Sequence, residues 1–91
     1  MSPQAIASPE DLEHFAGELK QFNSQLQDSM SRLQGQFRRL GDTWRDQEHQ
    51  KFAQEFEQTM RVLHQFRRSS DQQIPFLHRK AQRLRAYLSQ R

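Results

Sequence analysis

The chain has 91 residues, of which 33% are hydrophobic and 27% charged, with a formal net charge of +3 and no cysteine. This length allows a single domain, the polarity leaves little apolar surface for a core, and the lack of cysteine excludes disulfides. We therefore expect a second chain to complete the core. The charge is uneven, because Asp71 is the only acidic residue after residue 60.

The first residues lack the basic start and long apolar run of a signal peptide. No stretch approaches the roughly 20 apolar residues of a membrane span. We predict a disordered lead over residues 1–7 and a soluble protein without membrane insertion. The sequence leaves open whether it is cytoplasmic or exported without a signal peptide.

A helix is predicted from about residue 9 to about residue 40, as the first part of a single domain over residues 8–91. Ser8 can serve as its N-cap, Pro9 suits the first helical position, and Asp11 completes a capping box. After this start, apolar residues recur at intervals of three and four up to Leu40, which predicts a helix that supercoils with its neighbour. The predicted hairpin core comprises Leu12, Phe15, Leu19, Phe22, Leu26, Met30, Leu33, Phe37, Leu40, Phe52, Phe56, Met60 and Leu63.

A bend is predicted at residues 41–44, with a bend motif of Gly41, Trp44 and Asp46. Gly41 suits a left-handed helix C-cap. Asp42 or Thr43 could cap the next helix, and Thr43 with Asp46 would form a second capping box. The second helix is then predicted over about residues 44–89.

Pro75 interrupts the second apolar pattern, since it lacks a backbone donor and disfavours helical geometry at Ile74. We predict a kink near residues 70–75, where Asp71 could recap the chain. A third helix that folds back is the alternative. The favoured fold is an all-α antiparallel helical hairpin with a long kinked second helix, which pairs into a four-helix-bundle-like dimer.

A tight turn centred on residue 42 would set Leu12 opposite about Gln72. Residues 73–91 would then have no partner in the first helix, yet they continue the apolar stripe. An exposed stripe of this kind indicates an interface with a second chain, either a homodimer or another helical hairpin. The predicted interface residues are Ile74, Leu77, Leu84 and Leu88.

Two Asp-x-Glu-His segments, Asp11–His14 and Asp46–His49, place a carboxylate and an imidazole on one helical face. They lie about 40 Å apart along the predicted hairpin, so one chain cannot join them into a metal site, and helix capping accounts for both. No pattern of a catalytic nucleophile or a phosphate loop is present. The sequence therefore predicts no enzyme, no cofactor and no metal site.

The basic end of the chain, residues 79–91, offers an alternative function. Arg79 and Arg83 lie one helical turn apart, and Tyr87 follows on the same side. A basic helix of this kind can bind nucleic acid. We regard this as the less favoured alternative, because the apolar residues there continue a packing stripe.

The segment Trp44-Arg45-Asp46 in a bend, followed by Phe52 and Phe56, resembles the WXG-type family of small secreted helical proteins, the early-secreted-antigen group. The resemblance covers about residues 10–70. It implies an antiparallel hairpin that pairs into a four-helix dimer and serves as a substrate or adaptor of type VII-like secretion machinery, without enzymatic activity.

Two positions depart from the family pattern. Asp46 stands where the family has Gly, and Tyr87-Leu-Ser-Gln-Arg91 ends in Arg where the family's C-terminal export signal has Asp or Glu.

Overall fold

A computed structural model describes residues 7–90, which form two α-helices and, within that range, no strand. Helix α1 spans Pro9–Leu40 and helix α2 spans Gln47–Ser89. The two helices pack against each other as an antiparallel hairpin, so the all-α hairpin is confirmed. The predicted lead lies outside the described residues except for Ala7. Within the described part of the chain, no helical segment is both long and apolar enough to cross a bilayer.

The start of α1 follows the predicted cap. The Ser8 hydroxyl accepts a hydrogen bond from the backbone N–H of Asp11 at 3.3 Å, and Pro9 occupies the first turn. Glu10 and Asp11 place negative charge at the positive end of the helix dipole.

The bend differs from its prediction in two respects. Gly41 has φ −65° and ψ −13°, so it is right-handed and the predicted left-handed cap is wrong. Thr43 lies with its hydroxyl 3.5 Å from the Leu40 carbonyl oxygen and so serves the end of α1. Asp46 instead caps α2, because its carboxylate accepts from the backbone N–H of His49 at 3.0 Å. The second helix consequently begins at Gln47 rather than near Trp44.

The predicted register of the hairpin is wrong. The Arg85 guanidinium donates to the Glu13 carboxylate at 2.7 Å, whereas a tight turn at residue 42 would set this level of α1 against about Gln72. The physical reason is the longer bend. Residues 41–46 form the connection before α2 starts, so each α2 residue lies closer to the bend than a tight turn at residue 42 would place it. Residues 73–85 are therefore not an overhang, because α1 accompanies α2 to about Arg85.

Helix α2 runs without interruption through Pro75, so the alternative of a third helix is wrong. Ser70 and Ala81, which flank Pro75, are both buried against α1. These contacts on both sides offset the roughly 3 kcal/mol that an interior proline costs a helix. Asp71 does not recap the chain but accepts hydrogen bonds from Asn23 and Arg67.

The seam between the helices is thin. The hairpin measures 68 × 24 × 17 Å, and its accessible surface of 7526 Å² exceeds the roughly 5600 Å² expected for a compact monomer of this mass. The residues buried in the seam are mostly small or flexible, namely Ala16, Asn23, Met30, Met60, Ser70 and Ala81. Two helices alone thus leave much of the apolar surface uncovered.

Candidate interaction surface

The apolar stripe of α1 that was predicted as core faces α2 with only some of its residues. Met30 is buried, as is Met60 on α2. In contrast, Phe15 is 57% exposed and Phe22 is 50% exposed. Each of these rings immediately precedes a buried residue, Ala16 or Asn23, so it is rotated by about 100° around the helix away from the seam. Half-buried members of the predicted core are Leu12, Leu19, Leu26, Phe37, Phe56 and Leu63, and the exposed members are Phe15, Phe22, Leu33, Leu40 and Phe52.

The predicted core contains Met30 and Met60 of the seam but omits its small and polar members, which are Ala16, Asn23, Ser70 and Ala81. A signal for it exists in the same heptad spacing, since Ala16, Asn23, Met30 and Phe37 follow one another at every seventh residue. The larger side chains at neighbouring positions dominated the pattern. The α1 stripe is therefore shared between the seam and one open side of the hairpin.

The exposed rings collect on that open side, which we call the apolar flank. Phe22 of α1 meets Phe66 of α2 edge to face with ring centroids 6.0 Å apart. Towards the bend, Leu33, Leu40 and Phe52 line one shallow apolar groove between the helices. The apolar flank is formed by Phe15, Phe22, Leu33 and Leu40 of α1 and by Phe52, Phe66 and Tyr87 of α2, all at least 43% exposed.

The opposite side of the hairpin is polar. Near its open end, Arg85 bridges Glu13 at 2.7 Å and Glu10 at 3.5 Å. Halfway along, the Asn23 amide donates to the Asp71 carboxylate at 2.9 Å, and Arg67 pairs with the same carboxylate at 2.9 Å. The two open sides therefore differ in chemistry, and the apolar flank is the one of these two sides that presents an apolar surface suited to burial.

The Arg85 hydrogen bond lowers the pKa of Glu13, against a smaller desolvation effect, and in turn raises the pKa of Arg85. Because the pKa of Glu13 is lower in the folded chain than its ordinary 4.5, the stabilising contribution is present above pH 4.5 and is lost as the pH falls below it. The ion pair thus helps to hold the open end of the hairpin at neutral pH.

Aromatic side chains close the bend. Trp44 is half-buried and lies edge-on to His49, with ring centroids 5.0 Å apart, while the ring of Phe52 lies 5.7 Å from that of Trp44. His49 in turn stacks on Phe37 at 5.3 Å. The cluster joins the end of α1 to the first turns of α2 and fixes the direction in which α2 leaves the bend.

The residues predicted as the interface between chains lie on the described part of α2. Ile74, Leu77 and Leu84 are half-buried towards α1, while Leu88 is 37% exposed. The overhang from which this set was predicted is absent up to about Arg85, since α1 accompanies α2 to that level. The role of these residues between chains stays a prediction, and the apolar flank is the larger uncovered surface.

The Asp-x-Glu-His segments lie at the two helix starts, where Asp46 caps α2 and the Asp11 backbone is bonded to Ser8. Within residues 7–90, no group of three or more His, Asp and Glu side chains is arranged to hold a metal ion.

The basic end of the chain is divided by the fold. Arg85 is engaged with Glu10 and Glu13, whereas Arg79, Lys80 and Arg83 are exposed and form no salt bridge within the described range. Arg91 lies outside the described residues. Nucleic-acid binding by residues 79–91 stays a prediction.

Comparisons with known proteins agree with this architecture. A family model described as "Proteins of 100 residues with WXG" matches residues 4–87. The crystal structure of the secreted protein ESXB from Bacillus anthracis strain Sterne is similar, with a TM-score of 0.77 and 27% sequence identity over 92% of this chain and 97% of that chain. No curated protein sequence matches. Because the family match takes in nearly the whole hairpin, including the bend motif, the chain belongs to the WXG100 family.

Proposed function

We propose that the protein is a non-enzymatic interaction module that acts by pairing its apolar flank with a second helical hairpin. The observation that carries the proposal is the concentration of exposed aromatic and leucine side chains on one side of a hairpin whose other side is polar. A contiguous exposed apolar surface on a small soluble domain marks an interface. Pairing two such sides would give a four-helix bundle with the apolar flank at its centre.

The similarity to a secreted protein supports a second part of the proposal, namely that the paired hairpins are exported as a folded unit. In this role the chain is a substrate or adaptor of secretion machinery rather than a catalyst. Tyr87 lies exposed near the end of α2, where the family's export signal would present it.

The pairing is tested by Phe22→Asp, which places a charge at the middle of the apolar flank. Phe22 is half exposed, so the hairpin should keep its helices while pairing weakens by at least about tenfold, because a carboxylate cannot be buried unpaired. Sedimentation velocity reports the mass, and circular dichroism reports the helix content.

Gln21→Asp is the matched control, since it adds the same charge one residue away on the outward, exposed face of α1. It should leave the mass unchanged. A wild-type chain that is folded yet strictly monomeric at about 100 μM, or a Phe22→Asp variant with wild-type mass, would contradict the proposal.

A further inference from the structure

A cleft of about 380 Å³ opens beside the bend, at the start of α2. Its lining combines two aromatic rings with three charged side chains, namely Trp44, Phe52, Glu48, Lys51 and Glu55. Of these residues only Phe52 belongs to the apolar flank. The cleft therefore differs in chemistry from the flank, because most of its lining carries charge.

The helical spacing of α2 brings three of these side chains together. Glu48, Phe52 and Glu55 follow one another at intervals of four and three residues, which places them on one face of the helix over two turns. Trp44 precedes α2, yet its ring reaches the first turns of the helix at His49 and Phe52. The bend thus adds an aromatic ring to a helix face that already carries an acid on either side of Phe52.

The two rings form the aromatic part of the cleft. Trp44 and Phe52 have ring centroids 5.7 Å apart and planes inclined by 47°. A cation is attracted to the face of an aromatic ring when it lies within about 6 Å of the centroid, and tryptophan is the strongest such partner. At this separation one cation can lie within that distance of both rings. Trp44 is half-buried and Phe52 is 43% exposed, so part of each ring is open to solvent.

The two carboxylates beside the rings are unpaired. Glu48 and Glu55 form no salt bridge with any of residues 7–90. Glu48 lies in the first turn of α2, where an acid also complements the helix dipole. Glu55 lies two turns further along, beyond the reach of that effect. The helix dipole therefore explains one of the two acids, whereas a cation bound in the cleft would engage both.

Two basic side chains of the same chain lie nearby, and neither neutralises the cleft. The Nε of Arg45 donates to the Gly41 carbonyl oxygen at 3.2 Å, so this guanidinium is directed to the end of α1. Lys51 lines the cleft between the two acids, but among the described residues it forms no salt bridge with either of them. The lining holds two acids and one base, so the cleft is acidic overall.

From this arrangement we infer that the cleft binds an arginine side chain presented by a partner polypeptide. A guanidinium is planar, so it can stack on the rings while its N–H groups reach the carboxylates beside them. An ammonium is a more strongly hydrated point charge and suits the site less well. A small molecule is held by a pocket that encloses most of it, which this open cleft does not do, whereas a side chain arrives on a backbone that contacts the surrounding surface.

Trp44 is the only tryptophan of the chain and therefore reports directly on the cleft. The probe is the peptide Gly-Gly-Arg-Gly-Gly with blocked termini, and the same peptide with citrulline in place of arginine is the matched uncharged control. The arginine peptide should shift the indole N–H resonance of Trp44 in a saturable manner at millimolar concentrations. The citrulline peptide should bind at least about tenfold more weakly, because it lacks both the cation–π and the ion-pair contacts. A lysine peptide should lie between the two.

Charge changes inside the cleft should act in opposite directions. Glu48→Gln and Glu55→Gln should each weaken binding of the arginine peptide by about threefold, and the double variant by about tenfold, since each removes one exposed ion pair. Lys51→Gln removes a competing cation and should strengthen binding by about threefold. All of these effects should become smaller at high salt, because exposed charges are screened.

Matched controls make the same charge changes outside the cleft. Glu57→Gln removes a carboxylate only two residues from Glu55 but about 200° around the helix, where Glu57 pairs with Arg61 at 2.6 Å. Lys80→Gln removes a lysine near the other end of α2. Neither substitution should change the affinity for the arginine peptide.

The ring contact is tested by Trp44→Leu, which keeps an apolar side chain at the bend but removes the ring face. Binding of the arginine peptide should fall by at least about threefold, since the stronger of the two cation–π partners is lost. The backbone amide resonances of Glu48 and Phe52 follow binding in this variant. Their chemical shifts in the free variant also report whether α2 still begins as in the wild type.

The site lies within one hairpin, so it can be separated from the proposed pairing. Phe22→Asp, which weakens pairing, should bind the arginine peptide as tightly as the wild type does. A wild-type chain that stays monomeric but binds the peptide would contradict the pairing and leave the cleft in place.

Three results would overturn the inference. The first is an arginine peptide that leaves the Trp44 resonance unchanged or shifts it no more than the citrulline peptide does. The second is a set of cleft variants that bind the arginine peptide no differently from the Glu57→Gln and Lys80→Gln controls. The third is free guanidinium, added as the chloride, that binds as tightly as the peptide, because the cleft would then select a small cation rather than a polypeptide.

Discussion

Asp46 shows at the scale of one residue how the chain accommodates a departure from its family. The third position of the bend motif is the N-cap of α2, with extended backbone at φ −86° and ψ −175°. Gly and Asp are both accepted at N-caps, and Asp adds a side-chain acceptor for an otherwise unpaired N–H. The exchange of Gly for Asp therefore preserves the bend, because the position needs a cap rather than a positive φ.

We predict that Asp46→Ala lowers the free energy of unfolding by about 1 kcal/mol and Asp46→Gly by only a few tenths. Urea denaturation at fixed protein concentration measures both. Asp42→Ala, an exposed substitution in the same bend, is the control and should stay within about 0.5 kcal/mol of wild type. Equal losses for Asp46→Ala and Asp46→Gly would show that the cap is not the cause.

At the scale of the helices, a buried polar group fixes how α1 and α2 are aligned. Asn23 and Ser70 are each 3% exposed, and the Asn23 side chain bonds the Ser70 hydroxyl at 3.0 Å and the Asp71 carboxylate at 2.9 Å. Buried polar side chains within an apolar helical seam specify register at some cost in stability. Here the group stabilises the alignment that sets Asn23 of α1 level with Ser70 and Asp71 of α2.

Asn23→Ala is predicted to lower the free energy of unfolding by about 1–2 kcal/mol, since both of its cross-helix bonds are lost. The double variant Asn23→Leu with Ser70→Ala should be more stable than Asn23→Ala, because apolar groups then fill the site, the buried Ser70 hydroxyl is gone, and the exposed Asp71 keeps its pair with Arg67. Both values come from urea denaturation. A double variant as unstable as the single one would argue that packing, and not hydrogen bonding, governs this site.

Considered as a whole molecule, the single hairpin has too little enclosed volume for its apolar surface. A hairpin only 17 Å thick can bury the side chains between its two helices but not the large rings beside them. The rings on the apolar flank would be buried only when a second hairpin covers them. Folding and pairing should therefore be linked.

This linkage predicts that the thermal unfolding midpoint rises with protein concentration. Each tenfold increase adds about 1.4 kcal/mol to the apparent stability of a dimer. Circular dichroism melts between about 5 and 500 μM measure the effect, and the midpoint of Phe22→Asp should depend less on concentration. A wild-type midpoint that is constant over this range would contradict linked folding and pairing.

Local sequence signals predicted the two helices and three of their four ends, and only the start of α2 differs. The Ser8 cap is confirmed because it depends only on neighbouring residues. The caps at the bend were assigned wrongly, since Gly41, Thr43 and Asp46 offer several compatible turns and local preference does not choose among them. The open apolar side could not be located from the sequence, because the seven-residue stripe contains residues of both the seam and the flank.

By itself, the sequence determined that two amphipathic helices form, that they fold back at the region of Gly41 to Asp46, and that so small and polar a chain has little apolar surface for a core. Those properties follow from periodicity and capping, which are local. Only the tertiary structure decided the register, in which Glu13 meets Arg85 instead of lying near Gln72. Register depends on which side chains meet across the seam, and these residues are far apart in the sequence. The observed register pairs the second half of α2 with α1, where the predicted one left it as an overhang.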